Sequence, residues 1–156
     1  MKYRKNIRLR EYDYSNDGYY FVTICCSYVA AERKLCERYK LIIEKHLKNL
    51  EKYEGVKLDY YQIMPNHIHF ILILEKAKLS LCRYIQIFKS QSTLEIKSNG
   101  FHGKRFWQPN YYEHIIRDED ALTKIREYIH NNPLAEKVNW EEIYGNKYVT
   151  AKRKLC

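Results

Sequence analysis

The chain has 156 residues, 30% of them charged and 46% hydrophobic, with a formal net charge of +9. That length suits one domain with its own core, and the basic balance points to an acidic partner, nucleic acid first. The sixteen tyrosines fit unpaired bases stacking on rings while cations meet phosphates, and equally a tyrosine-rich core under a solvated basic surface. The five cysteines (Cys25, Cys26, Cys36, Cys82, Cys156) include no C-x-x-C, so neither a disulfide framework nor a zinc ribbon is suggested, and a reducing cytoplasm fits. The opening M-K-Y-R-K-N-I-R-L-R has no apolar stretch behind it and reads as no signal peptide; the longest apolar runs are strand-length, too short for a membrane span.

Residues 1–18 read as a basic arm ending in the turn-rich Y-D-Y-S-N-D-G. Tyr19–Cys26, aromatic and β-branched, reads as a first strand. From Cys36 to Glu54 apolar residues recur at helical spacing (Tyr39, Ile42, Ile43, His46, Leu47, Leu50), and Gly55 stands where a left-handed cap is common. Val56–Met64 and His67–Leu74 read as two strands joined so tightly by Pro65-Asn66 that an antiparallel hairpin is expected. Ser80 offers a cap for a helix running to about Lys97, outlined by Leu81, Tyr84, Ile85, Ile87, Phe88 and Leu94. A loop with Gly, Pro, cations and rings follows, then a short strand over Tyr111–Ile116. Asp118 can cap a last helix over Glu119–Asn131 that carries Leu122, Ile125, Tyr128 and Ile129 on one face and is closed by Asn-Asn-Pro. The expected architecture is α+β: a ferredoxin-like, split βαβ antiparallel sheet with both helices on one face and the last helix across the other. One domain spans 1–156, with the arm at 1–18 and a C-terminal extension at 134–156.

Within M-P-N-H-I-H-F-I-L-I-L, His67 and His69 stand two apart, so a strand points both rings to one face. They are half a metal site or a pair of core histidines. A divalent ion needs a further oxygen or nitrogen ligand and open positions for substrate. Tyr128 and Asn132 are four apart and share a helix face. If that face meets the histidines, Asn132 can complete the metal site through its amide oxygen, and the Tyr128 phenol can attack a phosphodiester. Otherwise Tyr128 is a packed tyrosine and Asn-Asn-Pro a helix stop.

The run Y-Q-I-M-P-N-H-I-H-F-I-L resembles the motif region of the IS200/IS605-type tyrosine transposases, in which two histidines flank a hydrophobic residue. The run W-Q-P-N-Y-Y-E-H-I-I-R-D-E-D-A-L-T-K-I-R-E-Y-I-H-N-N-P resembles one branch of that family, the REP-associated tyrosine transposases, as does R-L-R-E-Y-D-Y-S-N-D-G-Y-Y-F-V-T-I-C-C near the N-terminus. Together the three blocks run from about Arg8 to Pro133. The resemblance implies a ferredoxin-like catalytic domain, single-stranded or hairpin DNA as substrate, and a divalent metal, Mg2+ or Mn2+. It implies cleavage by one tyrosine, giving a 5′-phosphotyrosine link and a free 3′-hydroxyl without ATP. The family's metal histidines map onto His67 and His69, its nucleophile onto Tyr128, and its helix-borne polar ligand onto Asn132. The cysteine usage and the short apolar runs point to a cytoplasmic protein without membrane contact. A monomer is favoured, because Asp118 follows the last strand at once; a helix-exchanging dimer is the alternative.

Tyr111 and Tyr112 are rival nucleophiles, but adjacent strand residues point to opposite faces, so only one can meet the site. Glu113 and His114 beside them could support the metal ligands from behind. For DNA contact the candidates are Lys104, Arg105, Phe106 and Trp107 in the loop, Arg4, Lys5, Arg8 and Arg10 in the arm, and Lys89, which stands in an F-K-S tripeptide the family also shows. Two other readings remain. One is a non-catalytic RRM-like nucleic-acid-binding module, although no strand carries the Gly-aromatic pattern of that module. The other is a metallohydrolase using activated water, which has no use for Tyr128.

Overall fold

The structure, a computed structural model, describes residues 12–131. In chain order these form β1 (Gly18–Cys25), α1 (Tyr28–Glu32), α2 (Leu35–Arg38), α3 (Lys40–Asn49), a 3-10 turn (Leu50–Lys52), β2 (Val56–Ile63), β3 (His67–Leu74), α4 (Leu81–Ser98), β4 (Tyr112–Ile116) and α5 (Glu119–Asn131). The four strands make one sheet in the order β2-β3-β1-β4, with every neighbouring pair antiparallel. This is the split βαβ arrangement expected from the order of elements.

The register divides the strand side chains between two layers. On one face Tyr20, Val22 and Ile24 of β1 and Ile68, Phe70 and Leu72 of β3 are fully buried with Ile43 and Leu47 of α3 and Tyr84, Ile85 and Phe88 of α4. On the other face Phe21, Ile71 and Ile116 are buried with Ala121, Leu122, Ile125 and Ile129 of α5. Each buried Leu, Ile or Phe among these contributes about 1.5–3 kcal/mol by leaving water, so α5 is seated on the sheet of its own chain by its apolar stripe. The Asp118 carboxylate accepts the Ala121 N–H at 2.7 Å, capping α5 as its sequence suggested. The bulge between Leu58 and Tyr60 of β2 lies at Asp59, whose two carboxylate oxygens both accept from the Arg126 guanidinium of α5. This fork pins the helix to the edge strand.

The long helix expected over Cys36–Glu54 is instead broken. Tyr39 leaves helical geometry (φ −100°, ψ 20°) between α2 and α3, and its buried ring meets Phe106 edge-on at 5.9 Å. A separate short helix, α1, begins after Ser27, whose hydroxyl accepts the Ala30 N–H. Ser80 precedes α4 without a side-chain cap bond; the Leu81 N–H goes to the Tyr14 carbonyl at 2.9 Å. That bond, with the buried Tyr14 ring, fastens the end of the arm to the core. Among the described cysteines Cys26, Cys36 and Cys82 stand outside any disulfide and Cys25 is disulfide-bonded, where the sequence suggested no pairing.

Gly55 is left-handed (φ +78°), and a Cβ there would stand 2.2 Å from the Glu75 carbonyl oxygen. The two backbones come this close because the Glu75 N–H donates to the Gly55 carbonyl at 2.8 Å, closing the open end of the β2–β3 hairpin. Gly55→Ala therefore costs about 2–4 kcal/mol, from backbone strain and forced separation together. A urea titration checks this as a lowered midpoint with an unchanged slope.

Candidate active site

β3 begins at His67, directly after the Pro65-Asn66 turn. Both histidine rings are almost wholly buried, His67 at 4% and His69 at 3% exposure. Buried imidazoles need partners for both nitrogens. The Asn66 Oδ1 lies 2.6 Å from His67 Nδ1, and the Thr23 hydroxyl lies 2.8 Å from His69 Nδ1. The two Nε2 atoms face each other at 3.1 Å, with ring centroids 4.6 Å apart. Phe21 stacks on the His69 ring at 5.4 Å.

This geometry suits a divalent ion. Two nitrogens about 2.1 Å from one ion in adjacent octahedral positions stand about 3.0 Å apart, close to the Nε2 separation. Among the described residues no group of three or more His, Cys, Asp or Glu gathers. The further ligand expected from the sequence is thus of another type or outside the described residues. Asn132, the expected one, lies outside the described residues.

The histidines share their sheet face with α5. His69 pairs with Thr23 of β1, and Thr23 is in register with neither Val22 nor Ile24 of the opposite core but follows Phe21 on the α5 side. Tyr128 is half-buried and packs against the cluster formed by Phe21, Ile71 and the apolar stripe of α5. Helix and histidine pair thus meet through one apolar patch within one chain. An open groove of about 370 Å³ runs beside the last turn of α5, lined by Asp59, Tyr60, Arg126, Glu127, His130 and Asn131.

The rival tyrosines separate as their alternation requires. Tyr111 is buried in the opposite core, where its hydroxyl donates to the Cys82 Sγ at 3.1 Å. Tyr112 pairs with Thr23 and stands half-buried on the histidine face. Glu113 is not brought to the site: it pairs with Val22 and accepts the Tyr14 hydroxyl at 2.5 Å within the opposite layer. His114 pairs with Phe21 and stays on the histidine face.

Three expected DNA contacts have other tasks. Phe106 is fully buried and Trp107 nearly so, and the Trp107 indole N–H donates to Ser92 Oγ at 2.9 Å. These rings are core and offer no face to a base. The Lys89 ammonium donates to the carbonyls of Gln108, Asn110 and Pro109 at 2.7, 3.1 and 3.3 Å. Those bonds match its three protons, so Lys89 fastens the loop before β4. Lys104 and Arg105 are exposed as expected. Arg4, Lys5, Arg8 and Arg10 lie outside the described residues.

Two kinds of residue escaped the sequence reading. Thr23 and Asn66 are the histidines' partners; their signals were a hydroxyl inside an apolar strand and an amide next to His67. Tyr28 is 76% exposed and sits beside both the loop and the histidine turn: the Ser27 N–H donates to the Phe106 carbonyl at 2.6 Å and the Cys26 N–H to the Asn66 carbonyl at 3.0 Å. No helix among the described residues is long and apolar enough to cross a membrane.

Residues 14–132 match the model of the family described as "Transposase IS200 like". An uncharacterised protein of Haemophilus influenzae is 32% identical over 170 aligned positions, covering 91% of this chain and 92% of its own. A second Haemophilus influenzae protein, whose name places it among the REP-associated tyrosine transposases, is 25% identical over 138 positions, covering 78% of this chain and 73% of its own. In fold, the chain is similar to a REP-associated tyrosine transposase solved bound to a REP hairpin. The TM-score is 0.66 at 21% identity, over 81% of this chain and 72% of that one. With a Deinococcus radiodurans protein named for a transposase the TM-score is 0.51 at 19% identity, over 80% of this chain and 95% of that one. The histidine pair on the sheet and the tyrosine-bearing helix across it therefore occur in a chain that belongs to the IS200-like transposase family.

Proposed function

We propose that this chain is a metal-dependent endonuclease and strand transferase for single-stranded, hairpin-associated DNA, acting through a 5′-phosphotyrosine intermediate. The observation that carries the reading is the convergence of the His67 and His69 Nε2 atoms at 3.1 Å on the sheet face that α5 covers with Tyr128. His67, His69 and Asn132 would hold Mg2+ or Mn2+. The ion would polarise the phosphoryl oxygens and so stabilise the charge that builds on them during displacement.

Tyr128 supplies the nucleophile. Its phenolic oxygen forms the new bond to phosphorus and gives up its proton, while the bond to the 3′-oxygen breaks and that oxygen leaves, protonated, as a free hydroxyl. Attack by a 3′-hydroxyl on the phosphotyrosine reverses the exchange, so strands are rejoined without ATP. The apolar packing around Tyr128 and Phe21 holds the ring. The packing of α5 on its own sheet supports a monomer, and the reading is of a cytoplasmic enzyme. Lys104 and Arg105 would meet phosphates, and the REP hairpin held by the similar structure supports a folded single strand as partner.

The test is a denaturing protein gel after incubation with labelled single-stranded hairpins, with and without manganese. A metal-dependent protein–DNA adduct supports the reading. Cleavage without an adduct would assign the nucleophile to water. Tight binding without cleavage would leave a non-catalytic binding module. Tyr28 is the exposed ring for an unpaired base, and base–ring stacking contributes about 1–3 kcal/mol. Tyr28→Ala should weaken hairpin binding by about 5- to 100-fold, read by fluorescence anisotropy, with the melting temperature unchanged.

A further inference from the structure

We propose that Asn66 and Thr23 are positioning residues that decide which nitrogen each histidine offers to a metal ion. This rests on the metal-binding reading of the pair and extends it to side chains outside the ligand set. A neutral imidazole presents one lone pair, and the hydrogen bond at its other nitrogen selects which. The amide oxygen of Asn66 can only accept. At 2.6 Å it requires a proton on His67 Nδ1 and so leaves the lone pair on Nε2. The turn that presents it is fixed by its backbone. The Asn66 carbonyl accepts the Cys26 N–H at 3.0 Å and its thiol at 2.9 Å, and the Pro65 carbonyl accepts the Cys36 N–H at 3.2 Å.

Thr23 acts differently, because a hydroxyl both donates and accepts. When the Thr23 oxygen accepts from His69 Nδ1–H, the lone pair of His69 falls on Nε2. The Nε2 lone pairs of both rings then point toward each other at 3.1 Å, an arrangement that a cation between them stabilises. When the Thr23 hydroxyl instead donates to Nδ1, the His69 proton sits on Nε2 and donates to His67 Nε2. The same heavy atoms then form a continuous hydrogen-bonded chain, Thr23 to His69 to His67 to Asn66. Rotation of one hydroxyl, with a tautomer change in one ring, converts the cation-free arrangement into the metal-binding one. Both rings stay where they are, so the site is preassembled in either state, and Thr23 is the residue that permits it.

The experiment measures Mn2+ affinity by the electron paramagnetic resonance of free manganese, on the full chain without DNA. The variants are Asn66→Ala, Thr23→Val, which keeps the shape and removes the hydroxyl, and Thr23→Ser, which restores it. Circular dichroism melting confirms that each is folded. The loss of an orienting partner typically weakens a metal site by about 10- to 100-fold. That loss is expected for Asn66→Ala and Thr23→Val, while Thr23→Ser should stay within about threefold of wild type. Long-range 1H–15N spectra of the metal-free protein should show the proton of His67 on Nδ1, and a proton on Nε2 would overturn the role of Asn66. Wild-type manganese affinity in all three variants would overturn the inference and leave the metal site standing. A wild-type chain that takes up no manganese would overturn the metal site itself, and the inference with it.

Discussion

On the proposed mechanism, replacing Tyr128 by phenylalanine should remove the covalent protein–DNA product and lower strand cleavage by at least about a thousandfold, the scale on which enzymes lose activity with their nucleophile. The substitution deletes one hydroxyl from a half-buried ring that packs on the α5 side of the sheet. Stability should therefore change by no more than about 1 kcal/mol, and hairpin binding should hold. The informative companion is Tyr112→Phe. Tyr112 stands on the same face as the histidines and is the tyrosine with the best positional claim after Tyr128. It lies on β4, without a polar residue one helical turn on. Tyr112→Phe should keep the adduct. Tyr111→Phe tests only packing, since that hydroxyl is held by Cys82 in the opposite layer.

Single replacements of His67 or His69 by glutamine should lower metal-dependent cleavage by at least about a hundredfold while leaving hairpin binding within about threefold. Glutamine keeps a polar group at a buried position, so little of the fold depends on the change. An effect is expected at both positions, because each ring contributes one Nε2 atom to the pair. Cleavage kinetics across a manganese titration check this. A rate restored at high manganese marks a weakened site, whereas a loss that no concentration restores marks a wrongly built one. Equal cleavage by wild type and both variants would mean that the rings are only core.

Much of the fold was legible because its determinants are local. β3 begins after Pro65-Asn66 because that turn closes a hairpin, and α5 starts at Glu119 because Asp118 caps it. Period-two alternation put His67 and His69 on one face, and period 3.6 put Tyr128 beside Ile125 and Ile129. The misses arise where a tertiary contact overrides local preference. The break at Tyr39 follows a ring that packs on Phe106, a partner 67 positions away by subtraction of the two residue numbers. Phe106 and Trp107 looked like a stacking platform because they lie among cations in a Gly- and Pro-bearing loop. Burial against α4 and α2–α3 residues has no periodic signature in a loop. Lys89 looked like a phosphate contact because nothing in the helix pattern shows that three carbonyls of a distant loop converge on it. Tyr112 and Glu113 show how one strand register decides between neighbours: one goes to the histidine face and the other to Tyr14.

The site needs the sheet and the helix for different reasons. The sheet fixes the histidines, since β3 is hydrogen-bonded on both sides, by β1 and β2, and both rings are locked by partners. The helix carries Tyr128 on a surface that is held by side-chain packing and the Asp59–Arg126 fork.

The most direct measurement is the identity of the residue that carries the DNA. The wild-type chain is incubated with a short single-stranded hairpin and manganese, the adduct is trapped and digested with nuclease and trypsin, and the modified peptide is read by tandem mass spectrometry. The nucleotide should be found on Tyr128, in the tryptic peptide 127–137 that follows Arg126. A nucleotide on Tyr112, or cleavage with no modified tyrosine at all, would contradict the account.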